Sequence, residues 1–440
     1  MKKRFLWITI LAGLCLALFT SQVMAEIIWR QGAVTVEDEL SQEKGRINIG
    51  KMSIIPGIRL SGDYDSNIFL GNGYTSNPNN PGTTTNGKVN KPVESDYIFK
   101  VAPGILFDYD IGERGKLNFG YEGAWAFYNE YTQQNWNNQT GFVDFDYKAP
   151  SGLIAGVRNV FRSGNDPYGD ATQFGLGYNQ MRWTNDLNAK LGWDFFNRFK
   201  VIGFYNFYKQ KYNDEKNSTQ NWTDNIGGLE FAYRVLPKTW AFVRYHYGTQ
   251  IYNDEQVFSG NDASNKRNRV SGGLAWDGGG KLGGELNFGW QWLDYDNNVD
   301  TQGNPYESRN TWSADTSIDY RATETTALTL NINRAIRSTG AARAEYYDDT
   351  TVGINVFQDL PYKFSATGGF IYGKNDYNTL NTEQTEDRVD NNYNAYAGVT
   401  YKIRSWLDAS LNYRYMKKDS NDVTQSFTDN QVSLSLGAAY

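Results

Sequence analysis

The sequence predicts an all-β fold, a transmembrane up-and-down antiparallel β-barrel with 18 strands. Segments of alternating apolar and polar residues recur along the chain, and no apolar stretch after the leader approaches the ~20 residues that a membrane helix needs. The mean hydropathy is only −0.62, although the chain holds 31 Tyr, 24 Phe and 13 Trp. This combination is typical of membrane barrels, because only every second residue of a strand touches lipid.

The first 25 residues have the parts of a secretory signal peptide. Residues 2–4 are basic, 5–19 are apolar, and 23–25 supply a cleavage site of small residues. The alternative, a retained anchor helix, is disfavoured by the short apolar run. Cleavage would also remove Cys15, the only cysteine, so we expect no disulfides and no thiolate chemistry. We therefore predict a signal peptide at 1–25, a periplasmic N-terminal segment at 26–50 and the barrel at 51–440.

The segment 181–194 shows the alternation clearly. Trp183 and Leu191 fall on one face of a strand, whereas Asp186 and Lys190 fall on the other. A helix would not separate residues in this way, because positions two apart lie on opposite helix faces. The pattern predicts strands at 52–64, 96–109, 116–131, 140–148, 153–162, 180–194, 200–211, 223–235, 239–252, 268–277, 281–293, 311–321, 326–336, 346–358, 362–373, 389–402, 406–416 and 430–440.

A count of 16 strands is the alternative, because three of these segments are short or alternate imperfectly: 140–148, 153–162 and 326–336. The predicted connections alternate between tight turns and long polar loops, which is the layout of outer-membrane barrels with short periplasmic turns and long extracellular loops. An even strand count would return both chain ends to the periplasm. A soluble β-sandwich is the rival fold, but it rarely runs so many hairpins in unbroken order.

The last segment has the form of a terminal barrel strand. Val432, Leu434, Leu436 and Ala438 alternate with small or polar residues, and the sequence ends in Tyr440. This resembles the terminal-strand signal that the outer-membrane barrel assembly machinery recognises, although Phe is the commoner final residue. The resemblance implies that this machinery is a partner of the chain.

A stretch at the start of the barrel, 56–69, carries a family resemblance. It begins at Pro56 and ends in Tyr64-Asp65-Ser66-Asn67-Ile68-Phe69. In this it resembles the β-barrel porin type 2 family, which includes barrels encoded with exopolysaccharide loci. The resemblance implies a porin-like channel or conduit that supports exopolysaccharide secretion, with polysaccharide export components as partners. Outer-membrane lipid and lipopolysaccharide would surround it.

The phase of the alternation assigns a set of charged residues to the lumen. An 18-stranded barrel is wide enough for a water-filled channel, unless the loop 66–95 or the segment 26–50 folds inward. Because the signs are mixed, the wall predicts no strong ion selectivity. The predicted lumen residues are Arg59, Asp63, Glu122, Arg182, Asp186, Lys190, Asp194, Glu230, Arg234, Arg244, Glu285, Asp315 and Asp319.

Other chemistry finds little support in the sequence. The formal net charge of −6 argues against a nucleic-acid partner. His246, the only histidine, is assigned to the lumen face toward the extracellular rim, where Asp254 could complete an omptin-like hydrolase pair. The acidic run 294–300 starts like a calcium loop but lacks its glycine and its bidentate glutamate. We expect no enzyme, cofactor or bound metal.

A third function stands beside the channel and the hydrolase. The long loops are predicted to carry the aromatic residues Trp136, Trp222 and Tyr306. A structural or surface-binding barrel without an open pore could use such residues to bind glycans.

Overall fold

The computed structural model describes most of the chain from residue 47 onward. The predicted signal peptide, residues 26–46 and Tyr440 lie outside the described residues, as do parts of several loops. The described ranges are 47–72, 92–165, 181–215, 218, 221–253, 264–276, 280–297, 308–338, 344–379, 387–422 and 425–439.

Eighteen long strands follow one three-residue strand, so the predicted count of 18 is confirmed and the alternative of 16 is wrong. The strands are β1 (Ile47–Ile49), β2 (Met52–Asp65), β3 (Asp96–Asp110), β4 (Gly115–Tyr128), β5 (Trp136–Lys148), β6 (Leu153–Asn165), β7 (Met181–Phe195), β8 (Phe199–Tyr212), β9 (Trp222–Leu236), β10 (Thr239–Tyr252), β11 (Asn265–Trp276), β12 (Leu282–Tyr295), β13 (Arg309–Arg321), β14 (Thr326–Ser338), β15 (Ala344–Asp359), β16 (Phe364–Thr379), β17 (Val389–Arg404), β18 (Leu407–Ser420) and β19 (Phe427–Ala439).

The sheet is closed and antiparallel throughout. Each strand from β2 to β18 pairs with the next, and β19 pairs with both β18 and β2, where Leu434 lies opposite Gly62. The short strand β1 forms a hairpin with the start of β2. Closure satisfies the backbone hydrogen bonds that an open edge would leave unpaired in lipid.

The three weakly predicted segments are the strands β5, β6 and β14. Strand β5 starts at Trp136, four residues before its predicted start. Residues 137–139 are Asn-Asn-Gln, so both faces are polar there and the alternation is lost near the rim.

The connections divide the barrel into two rims. One rim, named here the short-turn rim, carries tight turns such as 149–152, 196–198 and 405–406, together with the start of β2 and the end of β19. The other, the long-loop rim, carries the connections 66–95, 166–180 and 296–308, among others. The helical segments among the described residues are single turns, and none has the length or the apolar composition of a transmembrane helix.

The two faces of the sheet differ in chemistry. Large apolar side chains such as Leu191, Leu229 and Leu434 are more than half exposed on one face. On the other face, side chains from strands two apart touch one another, as Lys190 of β7 and Asp146 of β5 do. Such contacts form only where a sheet curves toward its side chains, so the polar face is the concave one. Apolar residues therefore surround the barrel, and polar residues line its lumen.

The outer face carries a ring of hydrogen bonds near the long-loop rim, named here the tyrosine girdle. In each bond, a tyrosine hydroxyl donates to the side-chain amide oxygen of a residue on the next strand. That residue lies two positions closer to the long-loop rim than the residue directly opposite the tyrosine. Aromatic residues with a polar tip mark the edge of the apolar belt in membrane barrels. The pairs are Tyr121–Gln139, Tyr205–Asn225, Tyr245–Asn268, Tyr372–Asn391 and Tyr413–Asn430.

Candidate functional site: the lumen and its mouth

The predicted lumen residues have defined partners on the concave face. Arg59 bonds to Ser435 and lies 3.5 Å from Asp408. Asp63 lies 2.6 Å from Lys100, and Asp194 lies 3.3 Å from Lys148. The structure places the whole set on this face, with the same phase along each strand: Arg59, Asp63, Glu122, Arg182, Asp186, Lys190, Asp194, Glu230, Arg234, Arg244, Glu285, Asp315 and Asp319.

Many of these contacts run sideways along the wall, over a small residue on the strand between. Lys190 reaches Asp146 at 2.5 Å across Gly156, where an added Cβ would lie 2.5 Å from the lysine Cε and 2.9 Å from the aspartate oxygen. Gly369 lies in the same way between Asn355 and Tyr396, whose hydroxyl donates to the amide. Charges that pair sideways lie flat against the wall instead of reaching across the lumen.

Arg244 is the centre of a buried network halfway up the wall. Its guanidinium donates to Glu230 through Nε at 2.8 Å, and to both carboxylate oxygens of Glu285 at 3.0 and 3.1 Å. All three side chains are largely buried. The network joins β9, β10 and β12, and Arg244 is the cation that both carboxylates bind directly, with Arg269 of β11 also acting on Glu285.

His246 lies on the concave face but not at the rim. It is opposite Gly228 and Arg269 in the middle of β10, with its ring 4.7 Å from that of Phe204 in an edge-to-face contact. Its Nε2 atom is buried and has no hydrogen-bond partner among the described residues. His246 is therefore a residue of the lumen wall, and Asp254, its suggested hydrolase partner, lies outside the described residues.

The residues that carried the family resemblance form a turn that enters the lumen mouth. The Asn67 side chain accepts from the backbone N–H of Gly71 at 2.9 Å and donates to its carbonyl at 2.7 Å. Ile68 is buried against Ile98 on the concave face. The first residues of the predicted loop 66–95 therefore do fold inward, as one of the sequence alternatives had it.

A tyrosine in a neighbouring loop supports this turn. The ring of Phe69 meets that of Tyr131 edge to face at 5.2 Å. The backbone N–H groups of Glu130 and Tyr131 donate to the Asp96 carboxylate. Partial burial, with the nearby Glu94 carboxylate, raises the pKa of Tyr131.

A second intrusion comes from the wall itself. The ends of β14 and β15 at the long-loop rim, residues 335–338 and 346–349, are named here the inturned tip. Val352, an outward residue farther from that rim, is 39% exposed. Tyr346 alternates in step with Val352 and would also point outward in a regular barrel, but it is only 6% exposed. Tyr346 and Ile336 pack against Leu293, which lies on the concave face of β12. The tip has therefore left the cylinder and leans into the mouth of the lumen.

The inturned tip coincides with a break in the sheet. Pairing between β13 and β14 ends at Ala314 and Arg334, so residues 309–313 have no partner on β14. Asp348 of β15 accepts from Arg309 of β13 across the break at 2.6 Å, and from Arg334 of the neighbouring strand β14 at 3.0 Å. Asp348 is almost fully buried. These two contacts are named here the Asp348 latch. The Arg309 contact holds the tip against β13, and Arg334 also donates to Thr311 of β13 at 3.2 Å.

Paired aromatic rings border the mouth inside the long-loop rim. Tyr208 and Trp222 lie 4.8 Å apart, and Trp136 packs beside Tyr128 under the Lys100 ammonium. Trp136 and Trp222 are the first residues of β5 and β9 and have the concave phase, so their prediction as loop residues is wrong. Tyr306 lies outside the described residues.

No metal site emerges from the described part of the chain, which holds no group of three or more suitable ligands. In the acidic run 294–300, Asp296 pairs with Lys266 at 2.6 Å. Residues 298–300 lie outside the described ranges.

A closed 18-stranded barrel with an apolar belt outside and a polar wall inside defines an outer-membrane β-barrel. The sequence profile of the family described as "Putative beta-barrel porin 2" matches residues 44–440, and the chain belongs to that family. The resemblance drawn from residues 56–69 is thereby confirmed.

Comparison with individual proteins finds only remote likenesses. No curated protein matches the chain. Solved structures that match include the siderophore receptor PirA from Pseudomonas aeruginosa, with 7% identity, coverage of 88% of this chain and 80% of that chain, and a TM-score of 0.41. The FrpB iron transporter from Neisseria meningitidis (F5-1 variant) has 9% identity, with coverage of 88% of this chain and 82% of that chain and a TM-score of 0.42. The siderophore receptor PiuA from Acinetobacter baumannii has 10% identity, with coverage of 91% of this chain and 82% of that chain and a TM-score of 0.44. Likenesses this remote say nothing about a solute.

Proposed function

We propose that this outer-membrane barrel is a passive, porin-like channel for hydrophilic solutes and has no enzymatic activity. The observation that carries the proposal is the sideways pairing of charges along the wall, as in Lys190–Asp146 and Arg244–Glu285. Such pairing covers the lumen wall with polar groups and leaves its axis to water. The long-loop rim would face the cell exterior, with the chain ends in the periplasm, as is usual for such barrels.

Exopolysaccharide is the solute class that we propose, with polysaccharide export components as partners. The support is the family membership together with the rings at the mouth, Tyr208–Trp222 and Tyr128–Trp136. Tyrosine and tryptophan combine an apolar face with a polar edge, which suits contact with sugars. Mixed charges along the wall suit a cargo that is recognised by shape and stacking rather than by net charge.

A glycan-binding barrel without an open pore is the second candidate, and the same aromatic pairs favour it. A Trp222→Ala variant distinguishes the two functions. A binding barrel should lose oligosaccharide binding in this variant, and neither the variant nor the wild type should conduct. A channel for glycans should conduct in both forms, and the variant should lose current block by the same oligosaccharide.

Channel activity can be measured in planar bilayers with refolded protein. We expect the wild type to conduct, and we expect Asp348→Asn to conduct more or to stay open longer, because the Asp348 latch no longer holds the inturned tip. The substitution should destabilise the tip locally and modestly, by about 1–2 kcal/mol, because Arg309, one of the two partners of Asp348, is partly exposed.

Asp419→Asn is the matched control for this experiment. Asp419 is on the outer side of the same rim, on β18, and pairs with Lys417 at 2.9 Å, with both side chains more than a third exposed. This variant should conduct like the wild type. A wild-type protein that is silent under all voltages and salts would remove the channel proposal, and equal conductance of Asp348→Asn and wild type would remove the role of the latch.

A further inference from the structure

Two lysines lie above the tyrosine girdle without a salt bridge to a described residue. Lys209 and Lys211 are on the outward face of β8, four and six residues beyond the girdle residue Tyr205 toward the long-loop rim. At about 3.3 Å per residue, in a strand tilted by roughly 40°, this raises them about 10–15 Å above that tyrosine. That height corresponds to lipid headgroups rather than acyl chains.

Three other outward lysines at this rim, all in the described ranges, are paired with aspartates. Lys374 lies 2.7 Å from Asp376, and Lys417 lies 2.9 Å from Asp419. Lys266 similarly lies 2.6 Å from Asp296. Within the described residues, Lys209 and Lys211 have no ion pair. Among the outward lysines of this rim that are described, Lys209 and Lys211 are therefore two adjacent ones without a salt bridge, and the acidic residues Asp214 and Glu215 follow them in the next connection.

We propose that Lys209 and Lys211 bind the phosphate groups of lipopolysaccharide in the outer leaflet. Opposite charge supplies the attraction, and cationic side chains just outside an apolar belt are well placed to meet an anionic headgroup. The proposal rests on the proposed orientation, in which the long-loop rim lies on the side of the lipopolysaccharide leaflet.

Aromatic residues beside the lysines complete the surface for such a glycolipid. The Lys209 ammonium lies 5.9 Å from the centre of the Trp183 ring, which holds it close to the wall. Trp183 stacks on Phe161 of β6 at 6.0 Å. Below them the apolar belt offers a surface for acyl chains. The phosphate groups would therefore contact the lysines, and the acyl chains of the same lipid would contact the apolar surface just below them.

Titration of refolded protein in detergent micelles with diphosphoryl lipid A, followed by native mass spectrometry, tests the site. The wild type should bind diphosphoryl lipid A about tenfold more tightly than the same lipid stripped of its phosphates. Lys209→Gln together with Lys211→Gln should abolish that preference. The matched control, Lys374→Gln with Lys417→Gln, removes two lysines from the same rim and face and should keep it.

Equal wild-type affinity for both lipids would overturn the proposal, and so would an equal loss in the control variant. Heat-modifiable migration on gels verifies that each variant is folded. The titration does not depend on pore opening or on orientation in the cell, so its failure is distinguishable from that of the proposed channel. Conductance of the Lys209→Gln, Lys211→Gln variant should equal that of the wild type.

Discussion

Replacing Arg244 with methionine should lower the free energy of unfolding by about 3–5 kcal/mol. The substitution keeps an unbranched side chain of similar length but leaves the Glu230 and Glu285 carboxylates, both largely buried, without their shared cation. A buried charge that loses its partner retains its cost of desolvation. Denaturant titration of the barrel in lipid vesicles, followed by tryptophan fluorescence, measures the loss.

The control for Arg244 is a triple variant, Arg244→Met with Glu230→Gln and Glu285→Gln. Neutral amides carry a much smaller cost of burial than carboxylates, so this variant should regain most of the lost stability. A triple variant as unstable as Arg244→Met would show that shape, and not charge, explains the effect.

Placing arginine on the lipid-facing side of β5 should be nearly as damaging. Val143 lies near the middle of that strand with its side chain exposed on the outer face. Arginine at the bilayer midplane of a barrel costs about 2–4 kcal/mol. The free energy of unfolding of Val143→Arg should therefore be lower than that of the wild type by this amount in the same vesicle titration.

Thr140 on the same strand provides the comparison. It lies on the concave face opposite Glu122, so Thr140→Arg puts the same side chain in water beside a carboxylate. We expect its stability to stay within about 1 kcal/mol of the wild type. Equal losses of stability in Thr140→Arg and Val143→Arg would mean that water does not contact one face of the sheet while lipid contacts the other.

The sequence was sufficient to predict the strands and their faces, because period-two alternation is a local property. In β7 the polarity of each residue indicates whether it faces the lumen or lipid, and Asp186 and Lys190 lie on the lumen face as the pattern predicted. Strand ends were harder to place. Near the rims both faces are polar, as at the start of β5, and alternation no longer separates strand from loop.

The contacts between strands could not be predicted in the same way. Which residues meet across the wall depends on the stagger of a closed sheet, so the pairing of Arg244 with Glu285 on β12 has no local signal. The inturned tip is a clearer case. Ile336 and Tyr346 continue the outward phase of their strands, and only the loss of pairing between β13 and β14 turns them inward.

The height of His246 was within reach of the sequence. The predicted bounds of its strand, 239–252, are those of β10, Thr239–Tyr252, and residue 246 lies at the middle of that range. At about 3.3 Å per residue along the strand, these bounds already place His246 on the middle of the wall and not at the rim.

Cysteine labelling along β5 tests most directly whether water wets the concave face and lipid the other. Cys15, the only native cysteine, lies in the predicted signal peptide, so single cysteines can be placed at 140, 143, 144 and 145 in an otherwise cysteine-free barrel. In vesicles, a charged thiol reagent should modify cysteines at 140 and 144 and spare those at 143 and 145. Equal modification at all four positions, or a protein that purifies without detergent, would contradict the account.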